Sequence, residues 1–137
     1  MHRDSGGNQV RMWAVRRRTK KLVVAFHFQY SNQAGWNCDS CRRSGLEKKR
    51  RCGWLQLDDG AAGPLIWVRR EVSLRTCPKS FVTAESQTLV EEFFIRRRLG
   101  GVDFAQLTAK QVEAFVILEK ALAAEMKNAQ HNTREAL

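Results

Sequence analysis

Hydrophobic and polar positions follow different rules in the two halves of the chain. Leu22-Val-Val-Ala-Phe-His-Phe-Gln-Tyr30 is dense in β-branched and aromatic residues. It predicts a strand with Val24, Phe26 and Phe28 on one face and Val23, Ala25 and His27 on the other. Ser31–Gly35 then reads as a turn, and Asp58-Asp-Gly-Ala-Ala-Gly-Pro64 as a loop. Leu65-Ile-Trp-Val68 predicts a short strand that Val72 and Leu74 extend towards Cys77. From Thr83 the period changes. Leu89, Val90, Phe93 and Phe94 recur at helical spacing behind a Thr83 N-cap, and Gly100-Gly101 stops the helix. A second helix is predicted from Thr108, where Thr108-Ala-Lys-Gln111 matches a capping box, with an apolar stripe of Val112, Phe115, Val116, Leu118 and Leu122.

Four cysteines sharpen the first half. Cys38 and Cys41 form a Cys-x2-Cys pair, Cys52 follows after ten residues and Cys77 after a further twenty-four. A Cys-x2-Cys turn presents two thiolates on one side of a tight knuckle, and Cys52 and Cys77 supply the other corners of a tetrahedron. Gly53 and Pro78 suit sharp turns beside such ligands. The expected cofactor is one structural Zn2+ ion held by Cys38, Cys41, Cys52 and Cys77. An iron–sulfur cluster, which also takes four cysteines, is the alternative, and spacing does not separate the two. Unligated thiols packed as small core residues remain a third possibility. The fold class expected is therefore α+β: a small metal-stabilised β-rich N-terminal unit followed by a C-terminal αα-hairpin. Residues 1–21 are expected to be a disordered basic arm, 22–80 the four-cysteine metal-binding unit, 81–127 the hairpin and 128–137 a frayed tail. Patterning begins only after Met12, so both Met1 and Met12 are candidate starts.

The 137-residue chain has a net charge of +10, and its distribution matters more than the total. Residues 1–80 carry 17 Lys/Arg against six Asp/Glu, whereas residues 81–137 carry seven against eight. Any polyanionic partner therefore belongs to the cysteine-containing half. The candidate phosphate contacts are Arg16, Arg17, Arg18, Lys20 and Lys21 in one run, and Arg42, Arg43, Lys48, Lys49, Arg50 and Arg51 in the next. All four tryptophans, Trp13, Trp36, Trp54 and Trp67, lie in the same half. They serve equally well as core filling or as stacking platforms. No apolar run is long enough to cross a bilayer and no signal peptide is apparent, so a cytoplasmic protein with no membrane partner is expected.

Little points to catalysis. His27 lies among aromatics, His2 and His131 lie in tails, and no nucleophile has a base at motif spacing. A closed four-thiolate site leaves no coordination position for water. The protein is expected not to be an enzyme.

The combination Cys38-Asp-Ser-Cys-Arg-Arg-Ser-Gly-Leu46, Arg50-Arg-Cys-Gly-Trp54, Cys77-Pro78 and two following helices resembles small zinc-knuckle proteins of bacteriophage and prophage tail-assembly gene clusters. The resemblance covers residues 22–126, and Gly100-Gly-Val-Asp-Phe104 resembles the Gly-Gly turn and Asp-aromatic step of such proteins. It implies an assembly accessory acting through protein partners, located in the host cytoplasm or the virion, with no catalytic residues. Phe93, Phe94, Phe115 and Val116 are the expected partner contacts. The positive charge is not implied by that role and keeps open a zinc-dependent nucleic-acid-binding protein. Oligomeric state is not legible.

Overall fold

The computed structural model describes residues 5–31, 33–53, 63–100 and 103–135. Its elements are α1 (Ser5–Tyr30), α2 (Cys38–Ser44), β1 (Trp67–Arg69), β2 (Val72–Leu74), α3 (Pro78–Phe81), α4 (Ala84–Leu99) and α5 (Ala109–Glu135), with a 3-10 turn over Phe104–Gln106. The described residues are mainly helical, and their strands form a single two-stranded sheet. The expected α+β fold with a β-rich N-terminal unit is therefore incorrect.

The main correction falls on residues 22–30, which are the last turns of helix α1 and not a strand. No Gly or Pro interrupts the chain from Asn8 to Tyr30, so nothing local stops a helix there. The dense apolar run has a tertiary cause. Leu22, Ala25 and Phe26, at helical spacing, enter a cluster with Val90 and Phe93 of α4 and Ala114, Leu118 and Leu122 of α5. Val24 and Phe28, also one turn apart, enter a second cluster with Trp67 and Leu74 of the hairpin. A helix buried on two sides shows no polar stripe, and over nine residues it cannot be told from a strand by periodicity. Ser31 ends α1: its N–H donates to the carbonyls of His27 (3.0 Å) and Phe28 (3.2 Å), and its hydroxyl donates to Phe28 O at 2.7 Å.

Helices α4 and α5 arise from local signals. Thr83 accepts from the Ser86 N–H while the Ser86 hydroxyl accepts from the Thr83 N–H, a reciprocal capping box. Thr108 and Gln111 repeat the arrangement at the start of α5. α5 continues to Glu135, past residue 127. The two helices pack together and both pack on α1. Phe26 stacks on Phe94 with ring centroids 6.0 Å apart, and Phe93 meets Phe115 at 6.0 Å.

β1 and β2 pair antiparallel with Trp67 opposite Leu74 and Arg69 opposite Val72. Trp67 and Leu74 face α1, where Trp67 meets the Phe28 ring edge at 6.1 Å. At the hairpin tip Arg70 has φ 56°, a left-handed conformation that costs a non-glycine residue roughly 1 kcal/mol. A charged latch holds that tip. Arg69 donates twice to Glu125 of α5, at 2.9 and 2.6 Å, and Arg70 donates to the same carboxylate at 3.2 Å. No helix among the described residues is long and apolar enough to cross a membrane.

Candidate metal centre

The cysteine unit is built from local turns. Asn37 caps α2 by accepting from the N–H groups of Asp39 (2.9 Å) and Ser40 (3.1 Å), which places Cys38 and Cys41 one helical turn apart. α2 ends in a nested pair of bonds, Gly45 N–H to Arg42 O and Leu46 N–H to Cys41 O, with Gly45 at φ 69°. This is the Schellman arrangement, and glycine takes its left-handed position without a Cβ penalty. The next turn repeats it. Arg51 N–H donates to Lys48 O and Cys52 N–H to Glu47 O, with Arg51 at φ 54°. Two successive turns of one hand fold residues 38–52 back on themselves and return Cys52 to Cys41.

Cys77 arrives from the other direction. It is the N-cap of α3, with Pro78 at the first helical position, where the missing N–H is not needed. The Cys52 loop is fastened to this helix by Gly53, whose N–H donates to the Ser80 hydroxyl at 2.9 Å. A Cβ on Gly53 would stand 2.9 Å from the Ser80 Cβ, so this close approach needs a glycine.

Cys38, Cys41, Cys52 and Cys77 consequently line one cavity of about 80 Å³, together with Trp36, Arg42, Glu47, Lys79 and Ser80. Cys41 and Cys77 are buried, Cys52 is half-buried and Cys38 is exposed. All four are free thiols. Burial raises the Cys52 thiol above its ordinary pKa, and the neighbouring Cys77, Cys41 and Cys38, then Glu47, push it the same way. Arg50 lies against this cluster. It donates to Cys41 Sγ at 3.2 Å and to the Gly35 carbonyl, and its guanidinium lies over the Trp36 ring at 4.3 Å. Among the described residues, no group of three or more His, Cys, Asp or Glu side chains is closed around a point where a metal ion would sit. The donor set nonetheless fits zinc chemically: four thiols from three chain segments share one small cavity with an arginine against a buried sulfur.

The remaining candidates separate. Arg16 and Arg17 lie in α1, with side chains outside the described residues, and Trp54 lies outside them altogether. Arg18 and Lys21 line a groove beside α4 and α5 with Glu85 and Glu113. Lys20 turns instead to the Phe81 ring of α3, at 5.8 Å. Arg43, Lys48 and Lys49 are exposed on the knuckle. Phe93 is buried and Phe94 stacks in the core, whereas Val116 is half exposed and borders, with Phe115 and Val112, an apolar groove over α4 and α5. Lys79 and Ser80 are lining residues that the sequence does not single out as parts of the cysteine site. Lys79 had a usable signal, its place two residues after Cys77. Ser80 had none, because its partner Gly53 is 27 residues away. The chain matches no protein-family model, no curated protein and no solved structure.

Proposed function

We propose that this protein is a non-enzymatic interaction module whose cysteine unit is held by one structural zinc ion bound to Cys38, Cys41, Cys52 and Cys77. The observation that carries this reading is the convergence of all four cysteines, from α2, the Cys52 turn and the N-cap of α3, on one cavity. When bound, the metal supplies folding energy on the order of 10 kcal/mol to a segment with few apolar residues of its own. Arg50 offsets the charge of the thiolates, Gly53 and Ser80 fix the Cys52 loop to α3, and Trp36 covers one wall. Every thiol being a ligand, no position is left for substrate, which supports binding and assembly over catalysis. An accessory role in particle assembly, as the tail-cluster resemblance implies, is part of this proposal.

Elemental analysis of the purified protein is expected to find one zinc per chain. Cys41→Ser should abolish that stoichiometry. A protein free of zinc, with melting unaffected by chelator and by Cys41→Ser, overturns the reading. Iron with visible absorbance would replace zinc by an iron–sulfur cluster on the same ligands.

A further inference from the structure

The cysteine unit carries its positive charge on its outside. Arg43 is exposed on α2, Lys48 and Lys49 on the turn that leads to Cys52, and Lys79 on α3 at the wall of the cysteine cavity. Lys20 of α1 reaches the same short helix α3, with its ammonium over the Phe81 ring. None of these five cations is in a salt bridge with a described residue. Among the described residues, ion pairs join Arg69 and Arg70 to Glu125, Arg97 to Glu119 and Lys110 to Glu85, none of them through a rim cation. Two carboxylates belong to the rim, Asp39 in the first turn of α2 and Glu47 on the cavity wall. Thiolates bound to zinc would place further negative charge beneath it, and Arg50, which hydrogen-bonds to Cys41 Sγ, offsets part of that charge. Helices α4 and α5 carry half of the chain's 14 acids, Glu85, Glu91 and Glu92 on α4 and Glu113, Glu119, Glu125 and Glu135 on α5. Those acids balance seven cations on the same two helices, whereas residues 37–53 with Lys79 carry seven cations against two acids, a distribution that steers a polyanion to the knuckle and to basic α1 rather than to α4 and α5.

We infer that the rim of the cysteine knuckle, from Lys20 across Lys79 to Arg43, Lys48 and Lys49, binds the phosphate backbone of a nucleic acid without reading its bases. Phosphate contact is favoured over base stacking because the aromatic faces near the rim among the described residues are taken. Trp36 lies under Arg50, Trp67 is buried against Phe28, and Phe81 lies under Lys20. The inference rests on the zinc-held module, since convergence of the cysteines is what brings Lys79 and the α2 segment to the same cavity.

The test is fluorescence anisotropy with a labelled DNA duplex and with single-stranded DNA and RNA of equal length, on the full chain purified with its metal. If the five cations each meet a phosphate, log affinity falls against log salt with a slope of about −4.5 on the duplex, a loss of about 500-fold from roughly 50 to 200 mM salt. The variant Arg43→Ala/Lys48→Ala/Lys49→Ala/Lys79→Ala is expected to flatten the slope to about −1, so that the same salt range costs only a few-fold. Its zinc content and circular dichroism should match wild type. If it does not fold, Lys48→Glu/Lys49→Glu, on an exposed turn, gives the same comparison. Lys127→Ala on α5 is the control and should leave the slope unchanged. The relative affinities identify the nucleic acid, since single strands give a shallower slope than duplex. No binding at about 50 mM salt, or a slope the rim variants do not change, overturns the inference. Zinc present without binding removes the rim alone, and binding that the rim variants weaken in a protein without zinc removes the metal alone. A protein partner that binds the rim while no nucleic acid does would count against it.

Discussion

Glu125 shows how one residue joins parts of the chain far apart in sequence. Its carboxylate accepts from Arg69 and Arg70, and the Arg69 hydrogen bonds lead the causes that hold its pKa down to about 2 from 4.5, with burial opposing them. Arg69 also approaches His27 Nδ1 at 2.7 Å. Arginine has no acceptor, so Nδ1 must accept and the ring must be neutral. Burial first, and then Arg69, lower the His27 pKa accordingly. The sign is the same for both groups: each binds its proton more readily in the unfolded chain. Their stability contribution is complete at neutral pH and is lost on acidification, for His27 from about pH 6.5 downward and for Glu125 from about pH 4.5 towards 2. Glu125→Gln is expected to cost about 2 kcal/mol at pH 7, allowing for its partial contact with solvent, and almost nothing near pH 2. Urea melts of the two proteins across that range measure it, and a deficit independent of pH would contradict the latch.

At the scale of elements, α1 is the informative case. Its final turns bury Phe26 completely against α4 and α5, and Val24 completely against the hairpin side. Phe26→Ala should cost about 3–5 kcal/mol, the usual range for emptying a core aromatic site. Gln29→Ala, exposed on the same helix, should change stability by under about 0.5 kcal/mol. Chemical denaturation followed by helical circular dichroism decides this, and equal effects would contradict the packing. The contrast with α4 and α5 explains what was legible. Thr83 with Ser86, Thr108 with Gln111 and the glycine stop at Gly100 are signals within four residues of the boundary they set. The run from Leu22 to Tyr30 has no such signal. Its pattern records two tertiary neighbours at once, so β-branched and aromatic content pointed to a strand.

At the scale of the whole molecule, a helical body of α1, α4 and α5 carries a small cysteine unit attached through α3 and the β1–β2 hairpin. The body has its own apolar cluster and contains no cysteine, since Cys38, Cys41, Cys52 and Cys77 all lie outside those helices. Chelation should therefore leave most of the helical signal in place while amide protection disappears from 37–53. Hydrogen exchange with and without chelator measures this. Loss of the α4 and α5 protection together with the knuckle would show that body and knuckle fold as one unit. The sequence by itself determined what depends on neighbours along the chain: the two capped helices, the Cys-x2-Cys pair and the concentration of charge in the first half. Tertiary structure alone decided that residues 22–30 are helical, that Gly53 meets Ser80 and that Arg69 meets Glu125. It also decided that Cys52 and Cys77 share a cavity with Cys38 and Cys41. Each of these requires segments distant in sequence to meet, and such contacts leave no period in the chain from which they can be read.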